Sequence, residues 1–334
     1  MRIALDVMGS DAGPSMVVEA SHILNEERPQ LELVLIGDRS TAESSSLPAR
    51  VQWEQTAEWI SNDEEPAWAV RHKTDASIVR AMRLLKTGRV DAVVTAGSTG
   101  ATMVAALLIA GRLRGIQRPA LTAILPGGKQ GTMILDVGAN ADPKPEHLLQ
   151  YGLMGEIYAR ELFRIAQPKV RLLNIGVEEE KGNQLAKEAY SLFKGSTIPF
   201  EGNIEGNQVL DGVCDVIVTD GFTGNVLTKG LEGMGHAMSR AIRTALTQDF
   251  RSKLGGLLAR QALSGLTAQF SAEAYGGAPL LGVNGVVVKA HGSSNARTFA
   301  NAVKQAERLV ERGVLTAVAQ RVADSSPQVD KARR

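Results

Sequence analysis

The sequence predicts an α/β protein in which a mostly parallel sheet is covered by helices on both faces. Apolar, strand-like runs at 2–7, 31–36, 90–95, 133–137, 170–175, 214–219 and 283–289 are mostly separated by segments with helical spacing. That alternation calls for right-handed crossovers in a largely parallel sheet. The β-branched run Val216, Ile217, Val218, Thr219 ends in Asp220-Gly221-Phe222-Thr223-Gly224-Asn225 and then turns helical. The same grammar recurs at Asp6-Val7-Met8-Gly9-Ser10-Asp11, Gly97-Ser98-Thr99-Gly100, Asp136-Val137-Gly138-Ala139-Asn140, Gly176-Val177-Glu178 and His291-Gly292-Ser293-Ser294. In an open parallel sheet such ends lie on one side, where these folds bind ligands. The polar loops are thus expected to meet in one crevice.

Composition supports a large folded unit. The chain has 334 residues, and its 44% apolar content suffices for a substantial core. With 37 basic against 36 acidic side chains, net charge +1, it has no global field for a polyanion, which disfavours nucleic acid. Cys214 has no intramolecular partner, and the chain opens on strand-like Arg2-Ile3-Ala4-Leu5. Both features predict a cytoplasmic protein without a signal peptide. No apolar run approaches the roughly 20 residues that span a bilayer, so membrane contact is expected to be peripheral.

Along the chain, 1–322 reads as a single α/β catalytic unit. Ala296, Phe299, Ala300, Val303, Ala306, Leu309 and Val310 recur at three- and four-residue spacing and predict a long helix. Residues 323–334 are polar, carry Pro327 and read as a flexible tail. An amphipathic arm is expected over 240–272. In it Leu246, Phe250, Leu254, Leu257, Leu258, Ala262, Leu266 and Phe270 form a stripe, with Arg251, Lys253 and Arg260 off it. Gly255, Gly256 and Gly265 suggest a helical hairpin or a bend. From spacing alone the stripe fits first a helix packed on the sheet or across a dimer, and also a membrane-surface helix.

Gly97-Ser98-Thr99-Gly100 follows a buried-looking strand and opens a helix from Ala101 to Ile109. Small residues there let backbone N–H groups and two hydroxyls converge on an anion. A tight turn capped by Ser98 or Thr99 is the structural alternative. His291-Gly292-Ser293-Ser294-Asn295 is a second such opening. Neither is a Walker loop, which disfavours nucleotide hydrolysis. Lys181, just after the strand ending Asn174-Ile175-Gly176, can set a point charge over the crevice, or pair with a neighbouring glutamate as a solvated loop residue. Asn225 can aim its amide at the same place, or cap a helix starting near Val226. Asp6, Asp11, Asp136 and Asp220 stand at strand ends, where some only brace loops.

Other chemistries lack their residues. Cys214 sits beside a strand interior without a histidine nearby, and no Gly-x-Ser-x-Gly elbow occurs. His22, His72, His147, His236 and His291 show no zinc-ligand spacing, so no metal is expected. If the chain is an enzyme, its nucleophile is expected to come from a substrate.

Taken in order, these segments resemble the phosphate acyltransferases of bacterial phospholipid synthesis, the PlsX family. The stretches that carry the resemblance are Leu135 to Asn140, Asn174-Ile175-Gly176 through Lys181-Gly182-Asn183, Val218 to Asn225, Tyr275 to Gly282, and Lys289 to Ser294. Together they extend the likeness from Met1 to about Val310. Ser10 stands where members commonly have glycine, and Ser98 where many have asparagine; both remain small and polar.

The resemblance implies a three-layer α/β/α sandwich like those of isopropylmalate dehydrogenase and phosphotransacetylase, with the amphipathic arm protruding. It implies acyl transfer from acyl carrier protein to inorganic phosphate without a cofactor. Lys181 and Asn225 are then the catalytic positions, and Ser98, Thr99, Gly100, Asn140, Asp220, His291 and Ser293 bind phosphate or substrate. It also implies a homodimer held peripherally on the inner membrane face, with Leu254, Leu257 and Leu258 touching lipid and a membrane acyltransferase consuming the product. A phosphotransacetylase acting on short acyl-CoA is the nearest alternative. A nicotinamide-dependent dehydrogenase would need a Gly-x-Gly-x-x-Gly fingerprint that the chain lacks, and a membrane scaffold would leave the polar strand ends without a purpose.

Overall fold

The computed structural model describes residues 1–42, 46–128, 130–269 and 276–331. Its strands are β1 (Arg2–Asp6), β2 (Glu32–Gly37), β3 (Val51–Gln55), β4 (Ala92–Thr95), β5 (Ala120–Leu125), β6 (Thr132–Leu135), β7 (Val170–Asn174), β8 (Phe200–Glu205), β9 (Val216–Val218), β10 (Ala278–Leu281) and β11 (Val286–Lys289). They form one 11-stranded sheet in the order β3-β2-β1-β4-β11-β10-β5-β6-β9-β7-β8. The helices are α1 (Pro14–Glu27), α2 (Pro66–His72), α3 (Ser77–Lys86), α4 (Thr99–Ala105), α5 (Pro145–Phe163), α6 (Gln184–Lys194), α7 (Gly221–Thr247), α8 (Phe250–Gln269), α9 (Ala296–Glu311) and α10 (Val314–Lys331).

Successive strand residues point to opposite faces, and the two cores follow that alternation. Leu5, Val94, Leu135, Val218 and Val288 join one core with residues of α1, α5 and α9. Ala4, Val93, Ile134, Ile217 and Val287 join the other with residues of α3 and α4. Strands buried on both faces carry unbroken apolar runs, which is why they are legible without a polar–apolar alternation. The fold is the three-layer α/β/α sandwich expected, and α9 covers the helix read from Ala296 onward.

The sheet is not uniformly parallel, however. Strands β3, β2, β1, β4 and β11 run parallel, as do β6, β9, β7 and β8. Between them β10 is antiparallel to both β11 and β5, and β5 is antiparallel to β6. The two halves therefore run in opposite senses, and the expectation that all the ends lie on one side of a single parallel sheet is corrected.

Register restores the convergence. Leu135 pairs with Thr122, Leu280 with Leu121, and Pro279 with Val288. Leu135, Thr122, Pro279 and Val288 therefore share one row, in which the Thr122 hydroxyl donates to the Pro279 carbonyl at 3.2 Å. β11 reaches that row from one side and β6 from the other. The halves are offset end to end, so their carboxyl ends point toward each other.

Helix α7 leaves the body after its first turn: within it Gly221 and Gly224 alone are buried. Its 27 residues make it about 40 Å long. Helix α8 returns beside it, with Gly256 against Leu246. The reversal thus falls at Gln248 and Asp249, not at the glycines of the stripe, and the protruding element begins before 240. Leu254, Leu257 and Leu258 are 52%, 65% and 81% exposed, so they do not pack inside this chain's core. The backbone of 323–331 continues α10, where the sequence suggests a tail. Positions 270–272 of the arm, including Phe270, and Tyr275 and the last three residues lie outside the described residues, as do the side chains of Arg260, Ala262 and Leu266. Among the described residues no helix is long and apolar enough to cross a membrane.

Candidate active site

One wall of the crevice is built from the loops after β1, β4 and β11. The Asp11 N–H donates to the Gly292 carbonyl at 3.0 Å, and the Ser10 hydroxyl reaches the same carbonyl at 3.4 Å. Below them Asp6, Thr95 and Lys289 occupy one row across three strands. Thr95 donates to Asp6 at 2.8 Å, while the Lys289 ammonium donates to the carbonyls of Ala96, at 3.2 Å, and Ala290. Burial pushes the Asp6 carboxyl up and the Lys289 ammonium down to about 8, against the attraction each gains from its neighbours.

The opposite wall is organised by Asp136. Its buried carboxylate accepts from the N–H groups of Leu121, Gly138, Ala139 and Asn140 at 2.7–3.1 Å. Desolvation nevertheless holds its pKa above the usual carboxylate value. The Asn140 amide donates to the Pro119 carbonyl at 2.7 Å and to Asp136 at 3.1 Å. Its own carbonyl accepts from the Gly221 N–H at 2.8 Å, locking the start of α7 onto this loop. Asp220 caps that helix, accepting from the Thr223 N–H at 2.8 Å and its hydroxyl at 2.7 Å.

This geometry corrects one sequence expectation. Asn225 does not cap a helix near Val226, because α7 already begins at Gly221. Its amide instead donates to the Val137 carbonyl at 3.0 Å, across to the Asp136 loop. One turn further on, on the same face, Lys229 reaches His291 Nε2 at 3.2 Å and Glu232 at 2.8 Å. Helix α7 thereby joins the two walls. Lys229 was missed in the sequence; its signal was the four-residue spacing from Asn225, which aligns two residues on a helix face.

The other candidates divide. Ser98 caps α4, accepting from the Ala101 N–H at 3.4 Å, and a Cβ on Gly100 would stand 2.7 Å from Pro66. Both thus serve the tight turn, while the exposed Thr99 hydroxyl makes no hydrogen bond among the described residues. Asn140 and Asp220 brace the opposite wall. Ser293 lies 2.8 Å from His291 Nδ1 at the crevice rim. Lys181 lies on the exposed loop after β7, the strand beside β9. Its carbonyl accepts from Asn174 at 3.1 Å, but its ammonium has no hydrogen bond or ion pair among the described residues. Asn183 of the same motif caps α6 at 2.9 Å. Cys214 is buried, which pushes its thiol up to about 12 and leaves it poorly suited to attack.

A family model for a fatty acid synthesis protein matches residues 1–317. A phosphate acyltransferase of Desulfitobacterium hafniense is 45% identical over 320 residues, covering 94% of this chain and 96% of that one. The chain belongs to the phosphate acyltransferase family. As a member it is an acyltransferase of fatty acid and phospholipid synthesis. A phosphate acyltransferase of Staphylococcus saprophyticus is 43% identical over 318 residues, 94% of this chain and 96% of its own. Among solved structures, a branched-chain phosphotransacylase from Enterococcus faecalis aligns with TM-score 0.58 at 17% identity, covering 93% of this chain and 99% of that one. A phosphotransacetylase from Streptococcus pyogenes aligns at 0.56 and 17%, covering 97% and 94%. At such identity these two structures bear on the fold alone, and they agree with the layered sheet.

Proposed function

We propose that this acyltransferase moves a long-chain fatty acyl group reversibly from acyl carrier protein to inorganic phosphate. A phosphate oxygen attacks the thioester carbonyl carbon directly. The tetrahedral intermediate collapses, the carbon–sulfur bond breaks, and the pantetheine leaves as thiolate to be protonated by water. A thiol with a pKa of about 8.5 leaves without a strong general acid. The protein's part is to hold two anionic partners together, for which proximity can supply roughly 7–11 kcal/mol, and to stabilise the oxyanion.

The observation that carries this reading is the bridge by which Asn225 and Lys229, on one face of α7, span the two opposed walls. That arrangement suits a reaction between two substrates, one on each side. In this reading Lys181 and Asn225 offset phosphate or oxyanion charge. Thr99 and Ser293 supply hydroxyls from one wall, while Asp136, Asn140 and Asp220 on the other hold the loop and the helix start that present Asn225. Ile175 and Phe222, 79% and 65% exposed beyond the adjacent strands β7 and β9, offer apolar surface to an acyl chain. The exposed leucines of α8 support peripheral attachment to the inner membrane face, and the unpacked face of α7 supports pairing of two copies. A membrane acyltransferase would then receive the acyl-phosphate.

The competing donor is short acyl-CoA. Palmitoyl carrier protein and acetyl-CoA are offered side by side with phosphate, and acyl-phosphate is detected directly. Product from the carrier protein is expected, and turnover confined to acetyl-CoA would replace this reading with a phosphotransacetylase.

A further inference from the structure

Lys289 is a cation held where charge is costly. It ends β11 next to Thr95 of β4, and the residue is 9% exposed. Its ammonium donates to the Ala96 carbonyl at 3.2 Å and to the Ala290 carbonyl. These two carbonyls immediately precede Gly97-Ser98-Thr99-Gly100 and His291-Gly292-Ser293, so the ammonium sits where the two loops leave the sheet. No carboxylate pairs with it among the described residues. Asp6, in the same row, is engaged by the Thr95 hydroxyl at 2.8 Å and the Met8 N–H at 3.1 Å.

A buried ammonium without a paired anion is left short of compensation, and of its three donors two are used here. Holding two carbonyls does not itself require a charge, since a neutral amide could donate to both. The charge and the third donor fit an anion. We propose that Lys289 is a phosphate-binding residue, whose ammonium supplies the counter-charge for the phosphate between the loops that carry Thr99 and Ser293. This rests on the reading of the crevice as a phosphate acyltransfer site, and it sets a cation beside the two hydroxyls.

The surroundings make that cation sensitive to its ligand. Burial brings the Lys289 ammonium down to about 8; Lys229 on α7 adds to the lowering, while Asp6 on β1 and Asp11 in the loop after it oppose it. His291, two residues on, feels the same charge. A phosphate dianion bound beside the ammonium supplies the missing opposite charge and raises its pKa. Phosphate affinity is therefore full below about 8 and falls as pH rises through that value, where the free protein loses the charge. By linkage, phosphate binding near that pH takes up a proton.

Calorimetry with inorganic phosphate, repeated in buffers of different ionisation enthalpy, reads affinity and proton uptake without turnover. In the wild type, affinity is expected to fall across about 8, with proton uptake greatest there. Lys289→Met removes charge and donors, and Lys289→Gln keeps a neutral donor for the two carbonyls. Both are expected to bind phosphate about 10–100-fold more weakly at neutral pH, as when one hydrogen bond to a charged group is lost. Both should also lose the proton uptake. Should either variant fail to fold, the wild-type titration decides alone. Wild-type affinity in Lys289→Gln would reduce the residue to a clamp and overturn the proposal. So would proton uptake that survives either substitution, a wild-type affinity flat across this pH range, or no phosphate binding at all. Phosphate binding as expected, with no acyl transfer by the wild type, would sink the functional reading instead.

Discussion

Gly224 approaches the Asp136 carbonyl so closely that a Cβ would stand 1.9 Å from its oxygen. The contact presses the first turn of α7 onto the loop after β6, and no side chain fits between them. Gly224→Ala should therefore cost at least about 3 kcal/mol through overpacking. Gly230, two turns along the same helix, has nothing within 4 Å of its Cβ position. There the same change should stabilise by roughly 0.5–1 kcal/mol. Denaturant melts of the two variants check the pair, and equal effects would contradict the packing assigned to Gly224.

Lys181 stands on a solvent-facing loop with a free ammonium among the described residues. If that charge offsets phosphate or oxyanion, Lys181→Ala should lower turnover by about 10²–10³-fold, as loss of one preorganised contact does. Its melting temperature should not change. Wild-type turnover would return the residue to ordinary surface.

The strands buried on both faces were legible because continuous apolar runs such as Val216, Ile217, Val218 declare themselves. β3, β5, β8 and β10 were not. β10 is only Ala278–Leu281 and contains Pro279, which reads as a breaker, although the strand is paired on both sides. Missing β5 and β10 meant missing the reversal between the halves, since that reversal resides in pairing and not in any local pattern. The strand-end motifs after β1, β4, β6, β9 and β11 still marked segments that the structure places on the two walls. Which of their side chains are free was hidden, because Asp220 and Ser98 use their oxygens on helix N-termini, and a sequence lists such oxygens without their partners.

Asn225 separates anchoring from anion contact. Its amide donates to the Val137 carbonyl, so both Asn225→Ala and Asn225→Asp lose that bond, worth about 1 kcal/mol. If the bond were its whole purpose, the two variants should retain similar activity. If the side chain also meets phosphate or the oxyanion, the Asp variant places a carboxylate against an anion and should be at least tenfold less active than Ala. Steady-state rates at saturating phosphate decide between them.

Ile175 and Phe222 test the acyl end of the site. Burying such a side chain against an alkyl group is worth about 1.5–3 kcal/mol. Ile175→Ser and Phe222→Ser, each made singly, should then raise KM for a palmitoyl donor by roughly 10–100-fold while barely affecting a short acyl donor. A loss independent of chain length would place the acyl chain elsewhere.

The arm is the last to be tested, since exposed leucines on a protruding helix would suit either lipid or a second copy of the chain. Leu254, Leu257 and Leu258 are more than half exposed on α8, so changing all three to Glu should leave the isolated fold and its acyltransferase activity intact. On lipid, the change removes insertion and adds repulsion from anionic headgroups. Co-sedimentation with anionic vesicles should then disappear while the sedimentation coefficient in solution stays the same. In a dimer interface, the same charges would be buried without partners, and the coefficient should fall to that of a monomer. Unchanged vesicle binding by the folded triple variant would remove the leucines from membrane contact, and dissociation into monomers would assign them to the pairing of two chains.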